Sequence, residues 1–274
     1  MTPAIVVLTD FFAVSNRALA FAAGLAVPLK AHLVLLHVRH DGLLSPEEYA
    51  KSERHDASEA ERALKQLASS QPVPTEVEIS DDFLTDAVAE AVRHHKPQML
   101  VLGRPGTAAT PVEIIAGAAM DLLRTVPYPL LIVPTVGWAG FTPRRLVMAV
   151  DGNDFVLYEH QNIVAQLLEA LPDSTLTVLY VSNERDQRQE DQLRVTHAIR
   201  ESGFDALTKD AEPRILYHSH PAQGIMQGAT ELDADMLVVV ARRHSLLGSL
   251  FHRSVTAQLI GESALPILLL PAKD

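Results

Sequence analysis

The chain has 274 residues and no cysteine, and its 34 acidic against 23 basic side chains give a formal net charge of −11. The absence of thiols excludes disulfides, thiolate catalysis and Cys-ligated zinc, and points to a reducing cytoplasm. The acidic balance argues against binding nucleic acid by phosphate neutralisation. The opening MTPAIVVLTDFF has no basic leader, and its apolar run is too short to cross a membrane.

Ala4 to Leu8 is a continuous, largely β-branched apolar run, the pattern of a strand buried on both faces, and Thr9-Asp10 ends it. Ser15 is placed to cap a helix over Asn16 to Ala26, with apolar residues at Leu19, Ala22, Ala23 and Ala26 and a stop near Pro28. Leu33 to Val38 reads as a second buried strand, and Pro46 opens a long helix reaching Ser69. A strand with one wetter face follows at Val73 to Ile79, then a helix capped by Asp82 and running to His95. From Met99 to Pro134 the chain reads strand, loop, helix, strand.

Past the segment TVGWAGFTPR, residues 135–144, the pattern restarts. Strands are expected at Leu146 to Val150, Leu176 to Val181 and Pro213 to Tyr217, and helices at Tyr158 to Ala170, Arg185 to Ser202 and Pro221 to Leu232. Met236 to Pro271 is then a gapless second copy of the stretch from Met99: Met99 falls on Met236, Pro129 on Pro266 and Pro134 on Pro271. A repeat of half the chain implies two related domains, here 1–136 and 143–274. Strands alternating with helices imply right-handed crossovers and an α/β, doubly wound architecture, with a five-stranded parallel sheet in each domain.

In such a sheet, ligands sit outside the carboxyl ends of the strands, where the strand order reverses. Four features of the first half converge there. Asp10 ends the first strand and can accept hydrogen bonds from a ribose or a base. Val38 ends the second and can offer backbone groups to a flat ring. Gly103 and Gly106 flank a loop where missing Cβ atoms let N–H groups approach an anion. Ala116-Gly117-Ala118 are expected to open the last helix, whose N–H groups and dipole favour phosphate. Each alone has a plainer reading as a turn glycine or helix cap; the conjunction points to a nucleotide.

His218 and His220, with His244 and His252 expected at the same edge, carry imidazoles that can bind metal. No accompanying ligand motif supports this, and polar loop histidines are the plainer reading. A Walker loop, a G-x-S-x-G elbow and HExxH are all missing, so no enzyme is expected beyond weak ATP hydrolysis.

LTDFF with Asp10, LLHV ending at Val38, the glycines after VLG and the closing PLLIVP make the first half resemble a universal stress protein domain, and the whole chain a tandem of two. The resemblance implies two flavodoxin-like (adenine nucleotide alpha hydrolase-like) domains of strand order 3-2-1-4-5 and a role in stress survival. It implies ATP or AMP as ligand, with no metal beyond the nucleotide's magnesium. In members that bind ATP the loop reads G-x2-G-x9-G-Ser/Thr. Here the first glycines fall on Gly103 and Gly106, and the final pair on Ala116-Gly117, without the hydroxyl. In the second half Asp151 and Val181 keep their places, but Val240 and Arg243 replace the loop glycines and Arg253-Ser254 the final pair. That site is therefore expected to be degenerate, unless Arg242, Arg243 and Arg253 hold an anion by themselves. The resemblance further implies that the last strands of the two halves pair as an intrachain pseudo-dimer, that the chain forms a homodimer, and that an unnamed protein partner acts downstream. An interaction module without nucleotide and a slow ATPase are the alternatives.

Overall fold

The computed structural model describes residues 2–9, 13–40, 57–104, 112–136, 140, 142–158, 162–184, 187–208, 211–242 and 254–273. It divides into two compact units, Met1–Gly137 and Trp138–Asp274. Each is a doubly wound α/β unit.

In the first unit, β1 (Ala4–Leu8), β2 (His32–His40), β3 (Thr75–Phe83), β4 (Met99–Arg104) and β5 (Leu130–Pro134) form a parallel sheet of order 3-2-1-4-5. The apolar runs fill its middle: Ile5, Val6 and Val7 of β1, Leu33 to Leu36 of β2 and Leu100 and Val101 of β4 are fully buried. Helix α1 (Ala13–Leu29) packs on β1, β4 and β5, and α2 (Ala57–Ser69) on β3. Helix α3 (Leu84–His95) packs on β2, β3 and α4 (Val112–Thr125). Chain order reverses between β1 and β4, and the crevice there is where this architecture receives ligands.

Several boundaries differ from the sequence reading: β2 runs to His40, two residues past Val38, and the helix expected from Tyr158 in the second unit starts at Ile163. Helix α1 runs through Pro28, which falls in its last turn, where the missing N–H removes a single bond; it ends at Lys30 (φ 51), with the Ala31 N–H on the Ala26 carbonyl at 2.9 Å. Strand β3 continues to Phe83, so Asp82 lies in the strand and caps nothing. Its backbone N–H donates to the Ser80 hydroxyl, which in turn donates to its carboxylate, and α3 starts without a side-chain cap. Of the long helix expected from Pro46, residues 57–69 are described and 41–56 lie outside the described residues.

The second unit repeats the order with β6 (Arg145–Val150), β8 (Thr175–Ser182), β9 (Arg214–Tyr217), β10 (Met236–Arg242) and β11 (Ile267–Lys273): β9-β8-β6-β10-β11, all parallel. Its helices are α5 (Ile163–Ala170), α6 (Arg188–Glu201), α7 (Asp205–Thr208), α8 (Pro221–Glu231) and α9 (Val255–Glu262). Two elements were not anticipated: the single-turn α7, and β7 (Val156–Leu157), which pairs antiparallel with Ala272 and Lys273 of β11. Helix α8 lies close on the sheet because it carries Gly224 and Gly228: a Cβ at Gly224 would come within 2.6 Å of the Val181 side chain and 2.8 Å of the Cβ of His218. Among the described residues no helix is long and apolar enough to cross a membrane.

Candidate functional site

At the carboxyl edge of the first sheet, Leu8 pairs with Leu36, and β2 continues past it to His40, so Val38, 3% exposed, lies inside the strand rather than at its end as the apolar run suggested. The neighbouring His37 is also buried, and its Nδ1 donates to the carbonyl of Thr9 at 2.9 Å, while the Thr9 N–H donates to the Leu36 carbonyl at 3.0 Å. The end of β1 is thus held from both sides of its backbone. Gly103 does not flank the loop as the spacing suggested; it is a buried residue inside β4, in register with Val133 of β5. Arg104 ends that strand half-buried, and burial lowers its pKa below the ordinary guanidinium value. Asp10 and Gly106 lie outside the described residues.

Ala116, Gly117 and Ala118 are displaced from their expected role. Helix α4 already runs from Val112, so they sit in its second turn, with their N–H groups directed at carbonyls one turn back. The backbone of these three therefore cannot supply the free donors of a helix start. Ala116 is buried against the core. Gly117 faces open space: a Cβ there would meet nothing within 4 Å. Its lack of a side chain serves no internal packing, unlike that of Gly224 and Gly228.

The second half closes on itself. Asp151 ends β6, and Arg242 ends β10, two neighbouring strands. The Arg242 guanidinium grips the Asp151 carboxylate with two contacts of 2.8 Å, and donates to the carbonyls of Asn153 at 2.6 Å and Asp154 at 2.7 Å. This is the bidentate geometry that Arg alone offers. Burial pushes the Asp151 carboxyl up, but the hydrogen bonds from Arg242 and Asn153 and the Arg242 charge outweigh it and hold the group below its ordinary value. Beside it Gly152 (φ 75) passes under Arg194, whose guanidinium lies over the Tyr180 ring and pairs with the buried Asp191 at 2.6 Å. The expectation that Arg242 can hold an external anion is thus corrected: its donors are turned inward.

Val181 packs against the position of Gly224, and Val240 lies in β10 in register with Leu270. Ser254, which the gapless repeat places opposite Gly117, caps α9 by accepting from the Ala257 N–H at 3.4 Å. The equivalent helix in the first half starts more than a turn earlier. Arg243, Arg253, His244 and His252 lie outside the described residues. His218 and His220 have rings 5.9 Å apart, and Nδ1 of His218 is engaged by the His220 backbone at 2.9 Å. Among the described residues the grouping with metal-compatible donors is a different one, Glu78, His94 and His95, which the sequence reading missed.

The sequence model of the universal stress protein family matches residues 1–134 and again 143–271. Similar solved structures include a universal stress protein from Archaeoglobus fulgidus DSM 4304, 14% identical with a TM-score of 0.68, over 99% of this chain and 97% of that one. A protein of unknown function from Pseudomonas aeruginosa PAO1 is 19% identical, with a TM-score of 0.57 over 99% and 93%. The cytoplasmic domain of a prokaryotic cation chloride cotransporter is 12% identical, with a TM-score of 0.54 over 98% and 95%. At these identities the likeness is one of fold. No curated protein matches.

Proposed function

We propose, for a chain that belongs to the universal stress protein family through both of its halves, a regulatory role in the stress response exercised through one adenine nucleotide, ATP or AMP, held in the first half. The observation that carries the asymmetry is the Arg242–Asp151 pair. In the second half a guanidinium already occupies the carboxylate that a ribose or base would need. In the first half Val38 lies buried two residues before the end of β2, and Gly117 leaves the face of α4 open, which supports room for a ligand there. Asp10, Val38, Gly103, Gly106 and the helix face at Gly117 are the residues assigned to hold it. The role is read as binding and release rather than turnover because the sequence carries no Walker loop, G-x-S-x-G elbow or HExxH.

Replacing Gly117 with Leu tests this reading. The new side chain enters open space, so the fold should tolerate it, but it fills the room assigned to the ligand. Calorimetry with ATP and AMP should show at least a tenfold loss of affinity, about 1.4 kcal/mol, in a variant that melts no lower than the parent. Equal binding by Gly117→Leu and the parent would refute the assignment. No binding by either protein would favour the alternative of a pure interaction module.

A further inference from the structure

We propose that Glu78, His94 and His95 form a binding site for a divalent transition cation of the zinc class, separate from the strand-end crevice. The site is assembled by topology. Glu78 stands in the middle of β3, opposite Leu36 of β2. Strand β3 ends at the carboxyl edge of the sheet, and α3 returns from there, so its last residues His94 and His95 come back toward the opposite edge, where β4 begins at Met99. Nε2 of His95 lies 2.8 Å from Oε2 of Glu78, and the His94 ring lies 4.7 Å from that of His95, centroid to centroid. One donor atom from each residue falls within 4.8 Å of the other two.

Three neutral or anionic N/O donors suit zinc chemically. Two imidazoles and a carboxylate, with water in the fourth position, are a known zinc donor set, and bonds of about 2.0–2.2 Å place tetrahedral donors about 3.3 Å apart. His95 and Glu78 already approach more closely than that, and His94 is exposed and can turn to complete the triangle. The site is also electrostatically prepared for a cation. It lies at the C-terminal, negative pole of α3. Glu76, two residues before Glu78 and so on the same face of β3, adds a carboxylate 3.9 Å from Nε2 of His32. Arg93 in the same helical turn is drawn off by its pairing with Glu90. The His95 Nε2 proton now points at the Glu78 carboxylate. A bound cation takes the place of that proton, which leaves to solvent or moves to Nδ1, so that both groups face the metal.

The plainer alternative is a hydrogen-bonded His–Glu pair at a helix end, and zinc titration of the full-length chain separates the two. The protein is stripped with a chelator, freed of nucleotide and titrated with zinc chloride by calorimetry, with melting followed in parallel. The parent should bind one zinc ion with a dissociation constant of about 1 µM or tighter at this site, and its melting temperature should rise with zinc. His94→Ala, which removes an exposed side chain and should fold normally, and Glu78→Gln should each weaken that binding at least about tenfold. The double variant His218→Ala/His220→Ala should bind as the parent does, and magnesium should not compete. Zinc held equally by the parent, His94→Ala and Glu78→Gln overturns the proposal. So does zinc lost only in the His218/His220 variant, or a parent that binds none. None of these outcomes depends on whether the first half takes a nucleotide.

Discussion

Arg242 shows how one side chain decides what a sheet edge can do. Its stem and head are largely buried, 12% exposed, while the Asp151 carboxylate it grips remains about half exposed. The folded-state pKa of Asp151 lies below its ordinary value. The pair's contribution to stability is therefore complete above the ordinary carboxylate range, near pH 4, and fades as pH falls through the depressed folded value. Asp151→Asn should flatten the acid limb of the stability–pH curve and leave the neutral-pH limb's slope unchanged, which urea unfolding at a series of pH values measures. Arg242→Ala strands the carboxylate and two backbone carbonyls, and should cost about 2 kcal/mol at pH 7. An acid limb identical in Asp151→Asn and the parent would mean that the pair is not formed in solution. No local pattern announces this contact, because its partners are 91 residues apart.

At the scale of elements, glycines in two helices make opposite predictions. Gly117 in α4 faces open space, so Gly117→Ala removes only backbone freedom and should stabilise the protein by up to about 1 kcal/mol. Gly224 in α8 faces Val181, whose branched side chain has little room to turn, and the Cβ of His218. Gly224→Ala should therefore destabilise by about 1–3 kcal/mol despite the better helix propensity. Thermal melts of the two variants check both signs at once. The elements legible in the sequence were those whose signal is local: the buried runs at Ala4–Leu8, Leu33–Val38 and Met99–Leu102, and Pro221 at the first turn of α8. What was misread depended on partners elsewhere. Strand β7 exists only because Ala272 and Lys273 offer it a ladder, and β3 extends through Ser80 to Phe83 alongside the end of β2, although its sequence turns polar there. The same holds for the candidate sites. Val38 could be placed near a strand end from its apolar run, though not the two further residues that β2 adds beside β3, and the early start of α4 beneath Gly117 and the meeting of Glu78 with His95 are products of packing.

Across the whole chain, the two halves share one strand order and one family but have diverged at the same edge in different ways. In the gapless repeat Arg242 aligns with Pro105, while the first half carries its arginine one residue earlier, at Arg104. Successive strand residues point to opposite faces, so Arg104 lies on the other side of the sheet from the face that Arg242 uses to reach Asp151. The arginine that closes the second half's edge thus has its counterpart one step out of phase in the first half. The proposed function predicts a stoichiometry of one adenine nucleotide per chain, with the first half as host. Equilibrium dialysis of the parent should saturate at one ATP or AMP per chain, and Gly117→Leu should need at least about tenfold more nucleotide to reach the same occupancy. Arg242→Ala removes the guanidinium from Asp151 but leaves Val240 where the family has glycine, so it should still saturate at one. Two nucleotides bound by the parent would show that the Arg242–Asp151 pair opens readily, and loss of binding in Arg242→Ala alone would place the ligand in the second half.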